Sequence, residues 1–108
     1  MNVFKTLRRK YVIWQYKKHK RNIIEGISIT EFTAIIDQYH DQGWEVFSYT
    51  SLQLDGNTAW SGKLRKGSII LLCNWSVNSQ GSIMGPARVM KGVGAELNMP
   101  IQTHPHFN

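Results

Sequence analysis

Residues 28–44 constrain the fold of this chain more than any other stretch, because they signal a helix at both ends and along its length. Ser28-Ile29-Thr30-Glu31 fits a capping box, in which the serine hydroxyl and the glutamate carboxylate satisfy backbone N–H groups that a first helical turn leaves orphaned. Ile27 and Phe32 stand where a hydrophobic staple would close the entry. Between the ends, Phe32, Ile35, Ile36 and Tyr39 recur at the spacing of one buried helical face, while Glu31, Thr33, Asp37, Gln38 and Asp41 point elsewhere. Gly43 suits the left-handed position after the last turn, and Trp44 is placed to pack back on Tyr39. A helix with one apolar face must lie on another layer, so the rest of the chain has to supply one.

The residues behind the helix read as strands. Trp44–Leu54 is rich in aromatic and β-branched residues, with Val46, Thr50, Leu52 and Leu54 on one face and Phe47 and Tyr49 on the other. Asp55-Gly56-Asn57 supplies a turn. Thr58–Arg65 is a weaker strand, interrupted by Gly62, and Lys63 and Arg65 on one side of it suit an edge guarded by charge. After a turn at Lys66-Gly67, Ser68–Val77 is the most continuous apolar run of the chain and is expected at the centre of the sheet, covered on both faces. Asn78–Gly81 reads as a loop, and Pro86 opens a second helix through Ala87, Val89, Met90, Val93, Ala95 and Leu97. Gly92 and Gly94 each cost about 1 kcal/mol relative to alanine there, so that helix is either short or held by close packing.

These elements predict an α+β fold: one three- or four-stranded, mostly antiparallel meander packed with two helices and preceded by a basic segment. Residues 1–21 form that segment, 22–98 the α+β domain, and 99–108, with Pro100 and Pro105, an irregular tail. Tyr11–Tyr16 is open to either assignment, because Val12, Trp14 and Tyr16 alternate as in a strand while the same stretch also reads as a helix. At 108 residues and 42% hydrophobic composition, the chain can build one core without a disulfide or a metal.

The helix that runs into Gly43-Trp44-Glu45-Val46 resembles a small uncharacterised bacterial domain family, in which a helix ends in Gly-Trp-Glu and enters a strand. The resemblance spans residues 11–72, implies an α+β fold, and brings no activity to transfer. A helix, three strands and a helix is also the order of a double-stranded RNA-binding domain. There the second helix opens on lysines, whereas here it opens Gly85-Pro86-Ala87-Arg88, so that comparison stops at element order.

The charge is as segregated as the structure signals. Lys5, Arg8, Arg9, Lys10, Lys17, Lys18, Lys20 and Arg21 hold eight of the 13 cations with no acidic residue among them, and residues 22–108 set five cations against all seven anions. A pI near 9.7 therefore belongs to one segment. Its eight cations, with Tyr11 and Trp14, form the candidate anion-binding set. Nucleic acid is the first expectation, with phosphates neutralised by Lys and Arg and Tyr11, Trp14 and Tyr16 stacking on unpaired bases. As a helix, the segment would put Phe4, Leu7, Tyr11 and Trp14 in a stripe suited to an anionic membrane surface. The plainer reading is a solvated element that keeps the protein dissolved, and an acidic protein is the remaining partner. The contrasting function is a homodimer or protein-interaction module using an aromatic sheet face, with Trp60 and Trp75 as candidate interface residues.

Catalytic signals are sparse. His40, Asp41 and Glu45 form the one polar group that suggests a small enzyme, against the ordinary role of a histidine at a helix C-terminus. Cys73, alone in an apolar strand, is a core thiol with no disulfide partner, which points to a reducing, cytoplasmic setting. His104-Pro105-His106, even with His19 or His40, lacks metal-site spacing, and Gly92-Val93-Gly94 lacks the strand and third glycine of a dinucleotide loop. No cofactor is expected. Tyr11–Trp14 is too short for the apolar part of a secretion signal, and Ile69–Cys73 is strand length rather than membrane length.

Overall fold

In the computed structural model, which describes residues 3–48, 52 and 57–106, the chain runs α1 (Val3–Lys18), β1 (Arg21–Ile27), α2 (Ile29–Asp41), β2 (Glu45–Ser48), β3 (Trp60–Lys66), β4 (Ile69–Ser76), β5 (Gln80–Pro86) and α3 (Ala87–Leu97). The doubly signalled helix is α2. The Ser28 hydroxyl accepts from the Glu31 N–H at 3.2 Å and donates to the Glu31 carboxylate at 3.1 Å. At the other end Gly43 has φ +95°, the Trp44 N–H reaches the Tyr39 carbonyl at 3.0 Å and the Gly43 N–H reaches that of His40 at 3.0 Å. Those two bonds make a Schellman end, closed by Trp44 packing on Tyr39 with ring centroids 5.5 Å apart.

The strands form one antiparallel sheet in the order β1-β5-β4-β3-β2. Five strands replace the expected three or four, because Arg21–Ile27 and Gln80–Pro86 are strands that pair with each other. β4 is central, as its continuous apolar run requires. β3 is internal rather than at an edge, and β2 and β1 take the edges. The expected residues Tyr49, Thr50 and Leu54, and Asp55-Gly56 of the expected turn, lie outside the described residues.

Only one face of the sheet is covered by α2 and α3. On that face Ile24, Leu64, Leu71, Cys73 and Ile83 meet Phe32, Ile35, Ile36 and Tyr39 of α2 and Met90 and Val93 of α3. Phe32 sits at the centre, edge-on to Trp60 at 5.8 Å and tilted against Trp75 at 6.3 Å. A Cβ at Gly81 would stand 2.5 Å from the Phe32 ring and 3.0 Å from the Ile27 carbonyl oxygen, so the close approach of α2 requires a glycine there. On the opposite face β4 presents Ile70, Leu72 and Asn74, of which Ile70 and Asn74 are exposed. Among the described residues the double covering expected of β4 is thus absent: its run is apolar on both sides, but α2 and α3 lie on one.

α3 begins after Pro86 and survives its two glycines for different reasons. A Cβ at Gly94 would come within 2.7 Å of Ile101 and 3.0 Å of the Met99 carbonyl, so Gly94 lets the tail fold back across the helix. Gly92 has nothing near it and carries only the propensity cost. The returning tail is not wholly irregular: Ile23 and Gln102 exchange backbone hydrogen bonds of 2.9 and 2.8 Å along the outer edge of β1. That bridge and the bulge at Gly26 protect one sheet edge.

Candidate anion-binding helix

Residues 3–18 contain no glycine or proline to break a helix, six of the sixteen are the good helix formers Lys and Arg, and the segment is helical throughout. Lys17 and Lys18 in the last turn complement the helix dipole, and Lys20, in the left-handed region at φ 51°, turns the chain into β1. The strand alternative for Tyr11–Tyr16 therefore fails. The consequence is a change of partners: Trp14 and Tyr16, neighbours on one face of a strand, point in different directions from a helix.

Two opposed faces result. Thr6, Arg9, Val12, Ile13 and Tyr16 are half-buried, whereas Leu7, Tyr11 and Trp14 are 56%, 58% and 51% exposed. Burial raises the pKa of the Tyr16 hydroxyl, with Arg21 opposing and Glu25 reinforcing the shift. Tyr16 therefore sits beside β1. Strand alternation turns Arg21, Ile23 and Glu25 of β1 away from Ile24 and the main core, so the C-terminal end of α1, at Tyr16, stands on the β1 side of the sheet face that α2 and α3 leave uncovered.

The outward stripe follows a 4-3-4 spacing through Leu7, Tyr11, Trp14 and Lys18, one line along a helix. The Tyr11 and Trp14 rings are 6.1 Å apart, the Lys18 ammonium stands 4.8 Å from the Trp14 ring centre, and Gln15 donates a hydrogen bond to the Tyr11 hydroxyl. Arg8, Lys10, Lys17 and Lys18 are all exposed around this stripe. Of the expected anion-binding set, Lys5 and Lys20 are also exposed, while Arg9 and Arg21 are half-buried. Leu7 joins the surface that its 4-3 spacing to Tyr11 and Trp14 marks.

The structure places the other candidates apart. Trp60 and Trp75 are each 4% exposed and belong to the core under α2, which overturns their assignment as interface residues. Glu45 is engaged by Arg65 at 3.2 Å, and His40 is exposed at the last turn of α2. Burial pushes the Cys73 thiol up to about 12, which leaves it protonated and inert at neutral pH. His106 is tied by its backbone N–H to the Glu25 carboxylate at 2.7 Å. Among the described residues no group of three or more His, Cys, Asp and Glu side chains could hold a metal ion.

Comparison with protein-family models, curated proteins and solved structures returns no match to this chain. Among the described residues no helix is long and apolar enough to cross a membrane.

The uncovered part of the sheet, over β4, β3 and β2, carries a shallow trough of about 630 Å³ lined by Phe47, Lys63, Arg65, Ile70, Leu72 and Asn74. Register aligns Phe47, Lys63, Leu72 and Met84 across four strands. Arg65 lies 5.2 Å from the Phe47 ring while also pairing with Glu45. The open face carries Phe47, with Ile70 and Leu72 beside it, and not the two tryptophans expected there. Strand alternation at Phe47, through its pairing with Lys63, is the signal that marks it.

Proposed function

We propose that this protein is a non-enzymatic binding module that engages a phosphate-bearing, anionic partner through α1. The observation that carries this reading is the outward surface of α1, where Arg8, Lys10, Lys17 and Lys18 surround exposed aromatic rings on a helix without an acidic residue. The rest of the molecule supports a directed encounter. Helix α2, on the opposite face of the sheet, exposes Glu31, Asp37 and Asp41 with no Lys or Arg, and with the exposed Arg88, Lys91 and Glu96 of α3 the helices on that face remain net acidic, which steers an anionic partner towards α1.

The test is binding of the full chain to single- and double-stranded DNA and RNA and to anionic lipid vesicles, at roughly 50 and 200 mM salt, beside a variant with Arg8, Lys10, Lys17 and Lys18 replaced by glutamine. If nucleic acid is the partner, four or five phosphate contacts give a log–log salt slope near −4, a loss of about two-hundred-fold between those salts. The variant, whose replaced side chains are exposed, is expected to keep its thermal midpoint and lose most of the affinity. Indifference of both proteins to every polyanion sinks the reading.

A second reading attaches to the open sheet face, where Phe47 and Ile70 are 43% and 44% exposed beside a concave trough. Under it a second copy packs on this face. Sedimentation of the full chain over a concentration series would then show dimer, and Ile70→Lys would return it to monomer with little loss of stability. A monomer at every concentration rejects it.

A further inference from the structure

Resting on the α1 reading above, we infer that the anionic partner is a lipid surface, on which α1 lies with Leu7, Tyr11 and Trp14 at the headgroup level. The argument turns on which atoms point directly away from the body. On a helix that reads phosphates of a nucleic acid, the cations converge on the partner-facing line. On α1 that line is Leu7, Tyr11 and Trp14, each more than half exposed, with Lys10 and Lys17 on one flank, Arg8 on the other, and Lys18 at the end. Three large apolar groups would meet the polar backbone of a duplex and gain nothing.

A bilayer interface presents the complementary order. Apolar side chains enter the boundary between headgroups and acyl chains, amphipathic Trp and Tyr rings sit at headgroup depth, and flanking Lys and Arg extend their hydrocarbon stems and place their charges on lipid phosphates. Base stacking on Trp14 is further disfavoured because the Lys18 ammonium already occupies a face of its ring at 4.8 Å. An interfacial orientation keeps that cation–π contact and gives the same ammonium a phosphate.

The remainder of the molecule fits this placement. The last turns of α1 are placed by Tyr16, which lies within the electrostatic reach of Arg21 and Glu25 of β1, and by the short turn at His19-Lys20 that leads directly into that strand. Lys63 and Arg65 lie exposed on the same side of the sheet, and the acidic surface of α2 faces away from it. Sixteen residues of helix in the plane of the interface need no spanning segment.

The experiment is co-sedimentation of the full chain with vesicles of phosphatidylcholine alone and of phosphatidylcholine with roughly a third phosphatidylserine. It runs in parallel with binding to single-stranded and duplex DNA and RNA at the same salt. Binding is expected to the phosphatidylserine vesicles and to be at least about tenfold weaker on phosphatidylcholine alone. The triple variant L7Q/Y11Q/W14Q keeps every cation and changes only exposed positions. It is expected to lose more than about tenfold in vesicle affinity at an unchanged thermal midpoint. In the parent protein, vesicles should shift tryptophan emission to the blue, and Trp14→Gln should remove that shift. Nucleic-acid binding without vesicle binding overturns the lipid assignment while leaving the α1 reading in place. Vesicle binding that the triple variant retains also overturns it, since the stripe would then be idle. Failure to bind vesicles or nucleic acid removes both readings.

Discussion

Replacing Phe32 with alanine is expected to destabilise the protein by about 3–5 kcal/mol, a large share of the roughly 5–15 kcal/mol that a domain of this kind possesses. Phe32 is fully buried on the first turns of α2 and is the residue through which that helix meets the sheet. Its ring is edge-on to Trp60 and tilted against Trp75, and its Cδ1 is the atom that the missing Gly81 side chain would strike. Truncation thus leaves a void beneath two indoles that are themselves held in strands. Indoles pinned by the backbone cannot close the gap, which places the loss in the upper part of the range for such substitutions. Phe32→Leu, which keeps much of the volume, is expected to cost clearly less. Urea titration checks both: the midpoint falls while the slope is preserved. A loss under about 1 kcal/mol for Phe32→Ala would show that α2 does not depend on this contact.

The elements that could be read from sequence are those whose local chemistry and packing agree. Ser28, Glu31, Gly43 and Trp44 mark the ends of α2 by hydrogen bonds and a ring contact that form within a few residues, so no tertiary information is needed. The apolar run of β4 announces a central strand for the same reason. β5 hid because packing selected against strand-like residues. Its Gly81 and Gly85 are required by Phe32 and Leu71, either of which would lie 2.5 Å from an added Cβ, and two glycines and a proline in seven residues read as loop. β1 hid behind Gly26, which takes φ +71° at the bulge and breaks the alternation between Ile24 and Ile27.

At the candidate site the cations were legible and their arrangement was not. Lys63 and Arg65 on one side of β3 suggest a guarded edge, but alternating charge is the same for an edge strand and for an internal strand with an open face. Similarly, Trp60 and Trp75 satisfy the composition of an interface and of a core equally well. Only the position of α2 over them decides it. For α1, aromatic and β-branched residues from Tyr11 to Tyr16 favour a strand locally, while the Lys and Arg on either side of them, with no glycine or proline over residues 3–18, favour a helix. That outcome sends Trp14 outward, and the proposed binding surface follows from it.

The second large effect is an alkaline instability that Cys73→Ala should relieve. The buried thiol has its pKa pushed from 9.0 to about 12 by desolvation, because a thiolate under α2 would have hydrocarbon around it and no cation. Below pH 9 the thiol is neutral in both folded and unfolded chains and costs nothing. As the pH rises above 9, the unfolded thiol ionises and the folded one does not, so unfolding releases a proton and stability falls by about 1.4 kcal/mol per pH unit. The loss is complete only above pH 12, where it is on the order of 4 kcal/mol. Between roughly pH 8 and 10.5 the thiol therefore accounts for about 2 kcal/mol. Tyr39, raised to about 12 by burial and by the neighbouring Glu96 carboxylate, adds a second loss that begins near pH 10. Cys73→Ala leaves Tyr39 in place, so the difference between the two proteins isolates the thiol. Urea midpoints at the two pH values should fall less steeply in the variant by that amount, whatever cavity cost it bears at pH 8. Equal losses in both proteins would mean that the thiol reaches water before the fold gives way, and that α2 does not seal the centre of the sheet.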